Sequence, residues 1–348
     1  MADPLTQKIK AQARRLGFSL VGVTSPDPPP HLAVFEDWLD REHHGHMAYL
    51  ASENHRRLRA DPRLILPECK SILVLGIRYP NPLSAASDAD EEPGGSVAAY
   101  AWGKDYHLIL PARMDQLIRF IEKRSGRSIP SRRFTDTGPL LERDLAQQAG
   151  LGWIGKNTCL VSPGRGSYFF LAEILLGVEL EADRPFGVDL CGKCTRCIQA
   201  CPTGCILPDR TLDARRCIAY LTIELRGSIP REQCERIGNW IFGCDVCQMV
   251  CPWNRFAGDK YEPAFAPMEN LPRPHLADEI TLSPEAFNRK FAESAIKRAR
   301  RSGYLRNILV ALGNTHRQEL IPLLQSALED PDPLVRKHAQ WAAEEMSQ

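Results

Sequence analysis

The sequence predicts a chain of mixed class, α+β or α/β, in three parts, and three observations carry that reading. Short apolar runs of strand type alternate with helix-period stripes through the first half, which marks one α/β domain over residues 1–182. A cysteine-dense stretch over 191–252 forms the heart of a small module spanning 183–260. A Pro-rich linker at 262–274 then leads into residues 275–348, where the periodicity is helical throughout. A length of 348 residues suits two or three domains of ordinary size.

Taken in order, Leu5, Ile9 and Leu16 share one face of a first helix, and the apolar run 18–23 follows as a strand. PDPPP at 26–30 is a loop. ILVLGI at 72–77 has the unbroken apolar character of a strand buried on both faces. The stretch 81–95, rich in Pro, Ser, Asp and Glu, reads as a mobile loop. Met114, Leu117, Ile118 and Ile121 repeat at helical spacing, and a further helix is expected from about Pro139 to about Gly150. A Gly-containing turn precedes the apolar stretch 168–180. Near the C-terminus, Leu320, Leu323, Leu324, Ala327 and Leu328 precede DPDP at 330–333, and Val335, Ala339 and Ala342 follow it.

Composition narrows the function classes. Hydrophobic residues at 43% and charged residues at 25% are ordinary for a globular protein with a sizeable core. A formal net charge of +1 excludes a general polycation, so nucleic-acid binding requires a local basic patch. The first residues, MADPLTQKIKAQARRLGF, hold neither an apolar signal core nor a twin-arginine leader, and the apolar runs fall short of a membrane span. A cytoplasmic, membrane-free address is the expectation, and twelve cysteines there point to metal or redox chemistry rather than disulfides.

The cysteine spacing specifies which chemistry. Cys191, Cys194, Cys197 and Cys201 form C-x2-C-x2-C-x3-C followed by Pro202, the run of two-cluster bacterial ferredoxins. Cys244, Cys247 and Cys251, followed by Pro252, repeat its second half, with Ile241 where the first cysteine would stand. Two [4Fe–4S] clusters need eight thiolates and these runs supply seven; the eighth is Cys217 or Cys234, with Cys217 expected. In such runs the fourth cysteine ligates the other cluster. The expected sets are therefore Cys191, Cys194, Cys197 and Cys251 for one cluster, and Cys201, Cys217, Cys244 and Cys247 for the other. A zinc site also uses C-x2-C pairs, but it needs four ligands and no doubled C-x3-C-P ending. Cys69, Cys159 and Cys205 are left over as small buried residues.

Several further strings are specific when taken together. GHMAYL at 45–50, RADP at 59–62, GKDYH at 103–107, DTGPLLER at 136–143 and GWIGKNTCLVSPGRGSYFFLAEI at 152–174 precede CGKCTRCIQACPTG at 191–204 and GCDVCQMVCPWN at 243–254. In this order they resemble the epoxyqueuosine reductases over nearly the whole chain. The resemblance implies an oxidoreductase that removes the epoxide oxygen of epoxyqueuosine at the wobble position of tRNA, the last step of queuosine biosynthesis. It implies an N-terminal domain that binds cobalamin, resting as cob(II)alamin and working as cob(I)alamin. Two [4Fe–4S] clusters, charged by an external electron donor, would feed it. The implied partner is tRNA of the GUN anticodon class, and the expected state is a monomer. The competing enzyme reading is a corrinoid and iron–sulfur reductive dehalogenase of small organohalides, against which the missing twin-arginine leader and the basic tail weigh. A non-catalytic alternative is an electron carrier fused to an RNA-binding scaffold.

The resemblance also assigns residues. Asp136 matches the family's proton donor; read from the residues alone, it is a capping carboxylate ahead of a helix. A helix start favours the charged carboxylate, whereas a general acid must keep its proton, a tension that burial could relieve. Tyr106, His107 and Arg143 adjoin motif positions as candidate catalytic or pocket residues, against core hydrogen bonding or a surface ion pair. Arg59, Leu160, Val161, Ser162, Leu171 and Asp245, together with Asp136, are the cobalamin-contact candidates. The base-off signature D-x-H-x-x-G does not occur: Asp105-Tyr106-His107 begins it, but Leu110 stands where Gly is needed. No His ligand to cobalt is expected.

The basic tail is the remaining feature. Seven Lys or Arg (Arg289, Lys290, Lys297, Arg298, Arg300, Arg301 and Arg306) face one acid, Glu293, over 289–306. Such a run is either a solvated helix face or a grip on a phosphate backbone, and Arg298, Arg300, Arg301 and Arg306 are the tRNA-contact candidates. The D-P turn before a V-R helix resembles one HEAT repeat, which alone must pack on a neighbour to bury its face.

Overall fold

The computed structural model describes residues 3–84 and 94–347. Most of the loop expected at 81–95 therefore lies outside the described residues.

The chain opens with α1 (Pro4–Arg15), whose start combines Pro4 in the first turn with an Asp3 carboxylate accepting the Thr6 N–H at 2.8 Å. β1 (Leu20–Thr24) follows, then α2 (Glu53–Ala60), β2 (Ser71–Arg78) and β3 (Ser96–Val97). Next come α3 (Tyr106–Ser125), β4 (Ser131–Phe134), α4 (Glu142–Gln148), β5 (Trp153–Ile154), β6 (Leu160–Val161) and β7 (Phe169–Leu176). The cysteine module contributes α5 (Arg196–Ala200), α6 (Ile218–Ile223), β8 (Trp240–Phe242) and α7 (Val246–Met249). The tail is dominated by α8 (Arg300–Gly313) and α9 (Pro333–Met346).

The main sheet has the order β1-β2-β7-β4, and every neighbouring pair in it is antiparallel. The first half is thus α+β, which corrects the α/β reading of its alternating elements. Alternation of strands and helices along the chain does not fix pairing direction; here the long helical excursions return the chain to the sheet running the opposite way. Period two then explains the continuous apolar runs. Leu73, Leu75 and Ile77 of β2, with Ala172, Ile174 and Leu176 of β7, meet Ile9 and Ala13 of α1 and Leu110, Met114, Leu117 and Ile121 of α3. Ile72, Val74, Phe169 and Leu175 face the other way and meet Leu145, Ala146 and Ala149 at α4.

A small hairpin of β5 and β6 sits beside this sheet. A Cβ at Gly152 would lie 2.1 Å from the Val161 carbonyl oxygen, so this approach requires glycine. β3 pairs in parallel with β8 and joins the first half to the cysteine module. Among the described residues no helix is long and apolar enough to cross a membrane.

The tail corrects one expectation outright. From Gly303 to Gly313 α8 is buried on all sides, packed between α9 and the cysteine module. Arg306 has no exposed surface. Its guanidinium donates to the carbonyls of Leu221, Leu225 and Gly227 and to Asn307 Oδ1, at 2.6–3.0 Å. Asn307 extends this bonding to the Thr222 and Ile241 carbonyls. A cation placed at the carbonyl end of α6 satisfies groups a short helix leaves unpaired. Arg306 is therefore a pin between tail and module and is out of reach of any RNA. Burial in fact pushes its pKa down to about 10. Arg301 is likewise mostly engaged, bonded to the Leu282 carbonyl and paired with Asp330 at 2.6 Å. Arg298 and Arg300 remain exposed.

Replacing Arg306 with Met should leave the buried Leu221 and Leu225 carbonyls without their donor and cost about 3 kcal/mol or more of stability. Arg300→Ala should change stability by about 0.5 kcal/mol at most. Denaturant midpoints of the two variants against the parent protein check both.

Candidate active site and cluster sites

Asp136 stands on the turn between β4 and α4, at φ +61°, the left-handed region that few residues other than Gly occupy, Asp among them. Thr135 ties the turn down through Oγ1 donating to the Leu171 carbonyl of β7 at 2.8 Å. The Asp136 N–H donates to Glu142 Oε1 at 2.6 Å. Helix α4 begins at Glu142, three residues beyond Pro139, and its N-cap is Leu141. Asp136 is consequently not a capping residue, and the conflict between a helix start and a proton donor does not arise.

The Asp136 carboxyl is instead held by α3. Tyr106 Oη donates to Asp136 Oδ2 at 2.9 Å, and His107 Nε2 lies 3.9 Å from the same oxygen. Asp105 caps α3 by accepting the His107 N–H and also bonds His107 Nδ1 at 2.8 Å. That bond raises the His107 pKa against the opposing effect of burial. Burial, with the Asp136 charge beside it, pushes the Tyr106 hydroxyl far up, so it stays a donor. His107 Nε2 is buried and has no hydrogen-bond partner. Arg143 is exposed on α4; its charge acts on Glu142 and Cys159, and no bond joins it to Asp136. Asp136, Tyr106 and His107 thus form one group, with Arg143 at its edge.

The remaining predicted residues lie on several elements of the fold. Arg59, which the sequence alone presents as a surface charge, is 6% exposed, its guanidinium 5.5 Å over the Phe35 ring. Asp245 is buried against β3, its Oδ2 accepting the Ala99 N–H at 2.6 Å, and burial raises its pKa to about 6. Leu160, Val161 and Ser162 are buried in the β5–β6 hairpin, where the Ser162 N–H is already donated to the Gly166 carbonyl at 2.8 Å. Leu171 presents its carbonyl to Thr135. Arg298 pairs with Glu224 at 2.6 Å and feels the charges of Asp136 and Tyr49, which brings this tail residue to the mouth of the Asp136 group.

On the far side of the β5–β6 hairpin the cysteines gather in two sets. Cys191, Cys194, Cys197 and Cys251 together line one cavity of about 300 Å³, closed by Trp253, Val161 and Leu190 and rimmed by Arg196 and Phe256. Three cysteines at or before α5 and one after α7 thus converge on one cavity. The second set forms around Cys244, whose thiol burial pushes up, with Cys217 and Cys201 adding to the effect. Cys247 is raised by Cys159 first and also by Cys244 and Cys217. Cys234 lies away from both sets, buried with its Sγ toward the Ile229 carbonyl.

Sequence reasoning missed the residues that bind these loops to the first half. The Trp153 indole N–H donates to Cys191 Sγ at 3.4 Å, and Lys156 Nζ donates to the Gly192 and Cys194 carbonyls at 2.7 and 2.9 Å. Asn157 reaches the Cys247 carbonyl at 3.4 Å. GWIGKN marked a resemblance, but only the fold shows that it seats the cysteine loops. Cys205 and Cys159 were also set aside as core residues; Cys205 Sγ is 3.5 Å from Cys201 Sγ, and Cys159 stands beside Cys247. Cys69 is an ordinary buried thiol at the edge of the sheet.

Comparisons with known proteins agree with this layout. Residues 190–254 match a family model described as a 4Fe-4S double cluster binding domain, and residues 59–137 match one described as "Epoxyqueuosine reductase QueG, DUF1730". The epoxyqueuosine reductase of Escherichia coli K12 is 41% identical over 98% of this chain and 89% of its own length. An epoxyqueuosine reductase solved with an epoxyqueuosine-modified tRNA-Tyr stem loop superposes with a TM-score of 0.88 at 31% identity, covering 99% of this chain and 90% of that one. The Bacillus subtilis enzyme, solved with its catalytic aspartate loop swung out of the active site, gives a TM-score of 0.89 at 31% identity over 98% of this chain and 90% of that one. The chain belongs to the epoxyqueuosine reductase family.

Proposed function

We propose that this chain reduces the epoxide of epoxyqueuosine in tRNA to the alkene of queuosine, with Asp136 as proton donor and two [4Fe–4S] clusters supplying electrons. The observation that carries the reading is the Asp136–Tyr106–His107 group together with a double set of cluster cysteines in one chain of this family. The net reaction consumes two electrons and two protons and releases water.

Cobalamin is the group the family resemblance implies between clusters and substrate. Two buried polar atoms without partners, His107 Nε2 and the Tyr168 hydroxyl, suit a large ligand rich in amide groups. Tyr168 stands within the charge influence of Asp245 and Cys247, between the inner cysteine set and the pocket. Arg59 and Asp245 would hold its periphery, with the hairpin of Leu160, Val161 and Ser162 and Leu171 as walls. When bound, cobalamin supplies the two-electron reduction of the epoxide carbon.

The chain's own residues handle protons and position. Tyr106 donates into Asp136 Oδ2, leaving Oδ1 to carry the proton for the departing epoxide oxygen. Once that proton has gone, the Tyr106 hydroxyl and a protonated His107 stabilise the carboxylate left behind. The cysteines of the cavity rimmed by Arg196 and Phe256 hold the cluster that an external donor reduces, and Cys201, Cys217, Cys244 and Cys247 hold the inner one. Arg298 and Arg300, exposed on the tail beside the pocket mouth, grip tRNA phosphates, with the helices α8 and α9 as the HEAT-like support.

Three outcomes test this. Asp136→Asn should lower turnover by about 10² or more and Tyr106→Phe by about tenfold, read as modified base by mass spectrometry; full turnover by the Asn variant rules out the donor role. Cys217→Ser should lose about four of about eight irons in anaerobically reconstituted protein, whereas Cys234→Ser keeps them all. Arg300→Glu should weaken tRNA binding and flatten its salt dependence by about one phosphate contact, with folding unchanged.

A further inference from the structure

Glu173 occupies the middle of β7, opposite Val74 of β2 and Phe134 of β4. It has no exposed surface, and among the described residues neither of its carboxylate oxygens meets a hydrogen-bond donor. Its neighbours on that face of the strand are Leu171 and Leu175, in the same apolar layer as Leu145 and Ala146. A charged carboxylate in such a place is among the costliest arrangements a fold can hold, unless it is neutralised and bonded. The side chain against it is the carboxyl of Glu142, the residue that accepts the Asp136 N–H. Two carboxyl groups without a cation between them fit together in one way: one carries a proton and donates it to the other.

We propose that Glu142 and Glu173 share a single proton and act as a positioning pair for Asp136. Glu173 donates its O–H to the Glu142 carboxylate, which in turn holds the Asp136 backbone N–H and keeps the turn in its left-handed conformation. The proposal rests on Asp136 being the proton donor, but it concerns how that residue is seated and not what it does. The turn has few other anchors: Thr135 to the Leu171 carbonyl below and Tyr106 to the carboxyl above. Losing the Glu142 contact frees the N–H that fixes φ, and the carboxyl leaves Tyr106 with it.

The titration follows the same direction. Burial and the Asp136 charge raise Glu142 to about 7, against the lowering effects of the Asp136 N–H, Glu173 and Arg143. Burial and Glu142 raise Glu173 well above its ordinary value. The other charged or titratable groups facing the pair are Arg59 on α2 and Tyr106 on α3. A carboxyl whose pKa is raised holds its proton below that value and loses it above. Glu142 therefore ionises at about pH 7 while Glu173 keeps its proton, so the pair with one shared proton is present above that pH. Only where Glu173 ionises as well do two buried anions repel and release the turn.

The test reads the turn directly, by hydrogen exchange of the amides at 135–141 in the cofactor-loaded enzyme, corrected for the intrinsic pH dependence of exchange. In the parent protein, protection of the Asp136 amide should hold from pH 7 to pH 8.5 and fall about tenfold in more alkaline solution, once Glu173 ionises. Glu173→Gln, whose amide donates to Glu142 at any pH, should keep full protection in both ranges. Glu173→Leu should lose it in both, with turnover lowered in kcat and the KM for tRNA unchanged. Protection in the parent protein that ignores pH, or a Gln variant that follows the parent's pH dependence, overturns the proposal. Neither result depends on turnover, so a failure of Asp136 as donor would be seen separately in the Asn variant.

Discussion

Strand β7 is the reference to which each functional part of this molecule is set. It is buried on both faces and bonded on both edges, by β2 and β4, so its position is fixed by apolar packing on two sides and by ladder hydrogen bonds on the other two. The Leu171 carbonyl anchors the turn that carries Asp136. Glu173 stands beneath that turn, and Tyr168, one residue before the strand, reaches toward the inner cysteines. The residue before that, Ser167, bonds Asn254 of the cysteine module through its N–H at 2.7 Å. A shift of this strand would move Asp136, Glu173 and the Asn254 loop of the cysteine module together.

The β5–β6 hairpin is the second fixed part: Trp153, Lys156 and Asn157 hold the cysteine loops, and Val161 closes the cavity lined by Cys191, Cys194, Cys197 and Cys251. The Trp153 indole N–H bonds Cys191 Sγ, and hydrogen bonds to cluster sulfurs are one of the levers by which a protein sets cluster potential. Asn254 adds a buried cross-link, donating to the Gln248 carbonyl at 2.7 Å and accepting the Ser167 N–H. The module is in this sense a lining of the first domain rather than an attached carrier.

The basic tail shows how composition divides once the chain is folded. Of four arginines that look equivalent in sequence, Arg306 is spent on the carbonyl end of α6 and Arg301 on Asp330 and the Leu282 carbonyl, while Arg298 pairs with Glu224 and stays exposed. Arg300 is exposed and makes no such pair among the described residues. A run of positive charge in a helical tail therefore serves three ends at once, and its residues cannot be assigned to RNA as a block.

The sequence by itself determined the chemistry: cysteine spacing is a local code, because two-residue gaps place three thiolates around one cubane whatever surrounds them. It also determined the buried strands, since an unbroken apolar run has few other places to go, and it marked Asp136 through its motif. Only the tertiary structure decided what depends on residues far apart in the chain. Pairing direction in the sheet, the burial of Arg59 and Arg306, the meeting of Glu142 with Glu173 and the separation of Cys234 from both cysteine sets are all of this kind. Such contacts join positions up to tens or hundreds of residues apart and leave no periodic trace. The start of α4 belongs with them: Pro139 is a sound local signal for a first turn, but the bond from Asp136 to Glu142 holds the chain in a turn until Leu141.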